Sequence, residues 1–183
     1  QIKARDSNCN DEIRYDLLAT IDTAQRDSDE DGYIDSEDAC DFTSGTSEYD
    51  RKGCLDSDSD GYSDPVVGWG PNNGADAFPL QPTQWQDSDN DGFGDKLDGY
   101  QGDSCPYNSG SSSSDRYGCL DTDGDSFSDA DPGGLFGVSP WFAHPVGLAD
   151  AFPADNTQWT DTDADGYGDN WYDPAWNETH LAW

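Results

Sequence analysis

Asp27-Ser28-Asp29-Glu30-Asp31-Gly32-Tyr33-Ile34-Asp35 decides how this chain folds, because its pattern, DxDxDGxxD with an aromatic after the glycine, returns four more times. The copies open at Asp56, Asp87, Asp121 and Asp161. Positions 1, 3, 5 and 9 are aspartate throughout: Asp27, Asp29, Asp31, Asp35; Asp56, Asp58, Asp60, Asp64; Asp87, Asp89, Asp91, Asp95; Asp121, Asp123, Asp125, Asp129; and Asp161, Asp163, Asp165, Asp169. Position 7 is Tyr33, Tyr62, Phe93, Phe127 or Tyr167, and one loop departs at position 6, where Ser126 replaces glycine. A calcium ion needs about six to eight oxygen ligands, and alternating aspartates on a tight turn set several carboxylates on one concave side. Glycine lets the backbone reverse there. Position 7 is expected to offer its main-chain carbonyl, leaving the ring free to pack. Zinc and copper prefer His and Cys, so calcium is the expected cofactor.

Forty acidic residues against eight basic ones leave a net charge of −32, which on composition alone resembles a disordered acidic tail. Spacing argues otherwise, since twenty of the forty acidic residues occupy the same four positions of five loops. Charges this dense repel one another, so the cation is expected to be part of the fold and the metal-free chain expanded. With 32% hydrophobic residues and no Met, the chain holds too little for a conventional apolar core.

Cys40 and Cys54 are fourteen residues apart, as are Cys105 and Cys119. Both pairs end in a matching phrase, Asp50-Arg51-Lys52-Gly53-Cys54-Leu55-Asp56 against Asp115-Arg116-Tyr117-Gly118-Cys119-Leu120-Asp121. Two local disulfides are expected, and with them an oxidising, extracytoplasmic setting. Zinc would require CxxC spacing and more than two histidines. Cys9 is left over, open to an interchain bridge, an attached group or an unpaired buried thiol.

The steps between landmarks repeat. Loop start to first cysteine is 13 residues in one unit and 18 in the next; the second cysteine to the aspartate of Ala-Asp-Ala-Phe-Pro is 22 and 31; from there to the next loop is 11 in both. The expected organisation is an N-terminal docking segment over 1–26, calcium repeat units over 27–86 and 87–160, and a partial repeat with an aromatic tail over 161–183. Arrays of this kind are quasi-one-dimensional. Proline and glycine after the loops, as in Asp64-Pro65 and Asp173-Pro174, forbid the flanking helices of EF-hands and dockerins. The one helix expected is Asp11 to Ala24, with Ile13, Leu17, Leu18 and Ile21 on one face.

The stretch from Asp76-Ala77-Phe78-Pro79 through Gln84-Trp85-Gln86 to the loop Asp87–Asp95 resembles the thrombospondin type 3 repeat, which begins DxCP, has Gln shortly before the loop and ends GxGD. Asp150 to Asp169 repeats it, and Asp38-Ala39-Cys40 and Asp103-Ser104-Cys105-Pro106 are similar to the same opening. The resemblance covers residues 27 to 173. It implies an elongated, calcium-stabilised tandem-repeat rod, mostly irregular, in which the chain wraps a line of calcium ions. It also implies that Asp38, Asp76, Asp103 and Asp150 join the ligands; Asp98, like Asp38, stands at loop position 12. Phe78 and Phe152 depart from the family, which has cysteine there, so packing is expected to replace a disulfide.

No enzyme is expected, because His144 and His180 lack any partner in a catalytic phrase. Charge excludes nucleic acid. With no transmembrane run or leader, Gln1 reads as the start of a processed chain, extracellular or at the cell surface. Asn177-Glu178-Thr179 is a glycosylation sequon, and Ser111 to Ser114 and Thr43 to Ser47 could carry O-linked sugar. The function expected is structural: a calcium-rigidified, disulfide-stapled rod, a self-assembling filament or stalk subunit. Residues 1–26 are nearly neutral and amphipathic, whereas Trp171, Trp176 and Trp183 crowd the other end, so head-to-tail assembly is expected. The alternative is a calcium-dependent adhesion module that binds glycan or a partner protein through the aromatic inserts Val66 to Pro71 and Leu135 to Pro145.

Overall fold

Proline, glycine and short polar side chains dominate the segments between loops, and the backbone accordingly runs in turns and bends. In the computed structural model, residues 25–131, 142–143 and 146–170 are described. Cys9, the segment 11–24, most of the insert 135–145, Asn177 and the three C-terminal tryptophans lie outside them. Among the described residues the regular structure is one 3-10 turn, Pro71–Asn73, and two isolated β-bridges, Val66 with Trp69 and Ala143 with Ala149. The mostly irregular fold is therefore as expected. No helix of the described residues is long and apolar enough to cross a membrane.

The chain divides into two compact units, Gln1–Leu80 and Gln81–Trp183. The division falls ahead of the third loop because Gln84 is buried against the segment that follows that loop, donating to the carbonyls of Lys96 and Tyr100 at 2.9 and 3.1 Å.

What is buried explains why so little regular structure is needed. Among the described residues the buried apolar ones are Cys54, Ala75, Cys119 and Ala149, while Asp76, Asp103, Asp150, Gln84, Ser47, Ser63, Ser112 and Ser128 are nearly inaccessible. Hydrogen bonds, not apolar contact, organise this interior. Both expected disulfides are present, Cys40–Cys54 and Cys105–Cys119, each with Cα atoms 5.1 Å apart.

Each disulfide closes a hairpin-like loop of the same construction. In unit 1 the Thr46 and Ser47 amides both donate to the Cys54 carbonyl, Gly53 N–H donates to Ser47, and Ala39 N–H donates to Lys52. In unit 2 the Ser111 and Ser112 amides donate to Cys119, Gly118 to Ser112, and Ser104 to Tyr117. Gly45 and Gly110 are required by close approach: a Cβ on either would lie about 2 Å from the carbonyl of Cys54 or Cys119. The Ser47 and Ser112 hydroxyls donate to the carbonyls of Arg51 and Arg116.

Candidate metal centres

The five loops share one hydrogen-bond plan, dictated by short acidic side chains that can cap nearby amides. The N–H of position 9 donates to the carbonyl just ahead of position 1, closing each loop: Asp35 to Arg26, Asp64 to Leu55, Asp95 to Gln86, Asp129 to Leu120 and Asp169 to Thr160, at 2.7 to 2.9 Å. Position 1 then caps the turn from inside. Its Oδ2 accepts the position 6 N–H at 3.0 Å in every loop. The position 7 N–H donates to the position 5 carboxylate at 2.9 Å, again in all five.

Position 9 locks the loop to its own backbone. Asp35, Asp64, Asp95, Asp129 and Asp169 accept both the N–H and the hydroxyl of the Ser or Thr at position 2. Position 4 and position 6 both take positive φ in each loop, and no other heavy atom crowds Gly32, Gly92 or Gly166, so conformation alone calls for glycine there.

The result is convergence. One carboxylate oxygen from each of positions 1, 3 and 5 lies within 4.8 Å of the other two in all five loops. These sets could hold a metal ion.

A further aspartate joins four of the loops. The N–H of Asp38, Asp76, Asp103 and Asp150 donates to the carbonyl of loop position 8, namely Ile34, Ser63, Gly94 and Ser128, at 2.8 to 3.0 Å. This one bond delivers the same side chain to the loop although the intervening segment varies widely in length. The Oδ1 of each then accepts the N–H two residues on, from Cys40, Phe78, Cys105 and Phe152. Phe78 and Phe152 thus present the same backbone donor as Cys40 and Cys105. Asp98, by contrast, is exposed, and Asp103 is the residue brought to the third loop.

Several buried oxygens of these groups accept no hydrogen bond. They are one oxygen each of Asp29, Asp60, Asp76, Asp103, Asp123, Asp125 and Asp150, and both of Asp89. Burial pushes Asp76 up to about 7, with repulsion from Asp60, Asp58 and Asp64 added; Asp103 and Asp150 reach about 7 for the same two reasons. Burial also raises Asp125, to about 6. Carboxylates stripped of water and set beside like charges are costly unless a cation offsets them. The donor set is entirely oxygen, which fits calcium or another hard cation.

Two kinds of clasp hold position 8, and sequence reasoning assigned neither. In the second and fourth loops position 8 is a buried serine whose N–H and hydroxyl both donate to one aspartate: Ser63 to Asp50, and Ser128 to Asp115. In the third and fifth loops position 8 is Gly94 or Gly168, and a buried glutamine occupies the space. A Cβ on Gly94 would lie 2.2 Å from the Gln84 Oε1, and one on Gly168 1.9 Å from the Gln158 Oε1. The Oε1 of Gln84 accepts from Lys96 N–H at 3.1 Å, and that of Gln158 from Asn170 N–H at 3.0 Å. The signal for the serine clasp was the repeated Asp-Arg phrase before the second cysteine, paired thirteen residues on with a serine at position 8.

Three of the position 7 rings pack against neighbouring rings, whereas Tyr167 is exposed. Tyr62 meets Tyr49 at 5.4 Å, Phe93 meets Tyr117 at 5.7 Å, and Phe127 stacks on Trp159 at 4.8 Å. No family model matches this chain, and no curated protein matches it.

Proposed function

We propose that this chain is an extracellular structural protein, a calcium-rigidified and disulfide-stapled rod that assembles into a surface filament or stalk. The observation that carries the reading is the set of nearly inaccessible aspartates, Asp76, Asp103 and Asp150, each with an unbonded oxygen and within electrostatic reach of a loop already rich in carboxylates. Such an interior makes sense for a chain whose core is metal. Calcium is the ion of choice, because carboxylate and carbonyl donors suit it and magnesium demands a smaller octahedral shell with retained water. The disulfides support an oxidising, extracytoplasmic setting.

A structural role is favoured over recognition through the first aromatic insert by the position of Trp69. Its ring nitrogen donates to Asp50 at 3.3 Å, and the Arg51 guanidinium lies 5.7 Å from its ring. That tryptophan serves the unit it belongs to. Calorimetric titration of chelator-stripped protein with calcium and with magnesium tests the metal reading; the expected result is about one calcium or more per loop and much weaker magnesium binding. Sedimentation in millimolar calcium, with and without residues 1–26, tests assembly. Full-length protein that remains monomeric at high concentration would remove the filament from the proposal.

A further inference from the structure

The two disulfide-bracketed hairpins touch the loops on either side of them in an asymmetric way. On the upstream side, Gly45 N–H donates to the Asp31 Oδ2 of the first loop at 3.1 Å, and Gly110 N–H donates to the Asp91 Oδ2 of the third loop at 3.0 Å. The corresponding position 5 oxygens of the second and fourth loops, on Asp60 and Asp125, accept no hydrogen bond. On the downstream side the hairpin grips the next loop through its backbone. Glu48 and Tyr49 N–H both donate to the Gly61 carbonyl at 2.9 Å, and Ser113 and Ser114 N–H both donate to the Ser126 carbonyl at 3.0 Å. The clasps of Asp50 on Ser63 and Asp115 on Ser128 complete that grip.

We infer that each hairpin is a coupling element, so that the loops bind cations in two dependent pairs, the first with the second and the third with the fourth. Asp50 and Asp115 are the positioning residues of the coupling. The inference rests on the metal reading above and adds a regulation to it. A cation at the first loop fixes the Asp31 carboxylate, which still has a lone pair for Gly45. That fixes the start of the hairpin. The disulfide closes the hairpin onto its other end, where Asp50 holds Ser63, and the Ser63 carbonyl in turn accepts from Asp76 N–H and so aims that carboxylate at the second loop. Ordering is thereby met once for two sites, which is positive coupling without a large change of shape. The third and fifth loops have their position 8 held by Gln84 and Gln158 from the segment just ahead of each, so they need no upstream partner for that clasp.

The test is a calcium titration of the full chain followed by amide NMR, reading Gly32, Gly61, Gly92 and Gly166 at position 6 and Gly124 at position 4 of their loops. Asp29→Asn disables the first loop. It should move the Gly61 midpoint to higher calcium by roughly fivefold or more and leave Gly92 in place. In an Asp50→Asn background, where the amide cannot accept both Ser63 donors, the Asp29→Asn change should no longer move Gly61. Asp89→Asn with Gly124 as readout repeats the experiment in unit 2, should either unit 1 variant fail to fold. A Gly61 or Gly124 midpoint indifferent to the upstream loop while the remaining loops still bind calcium would overturn the coupling alone. Absence of calcium-dependent shifts at every loop would overturn the metal reading as well.

Discussion

Ser126 stands where the other four loops carry glycine, and its backbone takes φ of 81° all the same. A residue with a Cβ in that region costs about 1 to 2 kcal/mol. Ser126→Gly is therefore expected to stabilise the calcium-loaded protein by about 1 kcal/mol, read as a rise in the urea midpoint with calcium present; an unchanged or lower midpoint would show that the serine hydroxyl compensates. At Asp76, Asp103 and Asp150 the sign of the pH effect follows from burial. Their pKa in the metal-free fold is about 7, against about 3.9 for an unfolded aspartate. The folded form thus holds protons that the unfolded chain has already lost. Their contribution to metal-free stability is fully present below about pH 4 and is lost as pH rises toward 7. Without calcium the chain should therefore be more compact near pH 4 than near pH 7, read as its radius of gyration in chelator at the two pH values. Asp76→Asn should weaken calcium binding at the second loop at least as much as loss of an outer-shell partner, roughly ten- to hundredfold.

At the scale of elements, loop, hairpin and clasp each predict a distinct loss. Reducing the two disulfides should cost about 3 kcal/mol apiece in the chain-entropy picture, measured as a fall in thermal midpoint in calcium buffer. Gln84→Ala removes the acceptor of Lys96 N–H and the donor to two carbonyls, and leaving such buried groups unbonded costs about 1 to 3 kcal/mol. It should also weaken calcium binding at the third loop, although Gln84 is not among the expected ligands; intact third-loop affinity would show the clasp to be dispensable. These elements differ in how legible they were. The loops could be read directly because their bonds span at most eight or nine residues, so the pattern in sequence is the pattern in space. Both disulfides were legible because the same fourteen-residue spacing recurs within matching phrases. Position 12 gave Asp98 and Asp38 equal standing, yet Asp98 is exposed on the turn that carries the Gln84 acceptors, and the backbone bond to the third loop is made by Asp103. Counting along the chain could not choose between them, since the bond that delivers the fifth aspartate is to a carbonyl, which no side chain announces. Asp50, Asp115, Gln84 and Gln158 were hidden similarly: their partners are main-chain groups and serines with ordinary local surroundings.

For the molecule as a whole, the interior decides the account. Among the described residues, the four buried apolar ones cannot hold a chain of charge −32 together, and the buried groups that could are carboxylates that repel. Hydrogen bonds within the loops set geometry, but each is worth only about 1 kcal/mol net, and none neutralises charge. In the proposed function a cation supplies what the side chains lack, and folding and metal binding become one equilibrium. Magnesium should compact the chain poorly at concentrations where calcium does so fully. The most direct check is small-angle scattering on one sample, first in chelator and then in millimolar calcium at constant ionic strength. The account predicts an expanded, flexible chain without calcium and a smaller, well-ordered particle with it. An identical radius of gyration in the two states would contradict it.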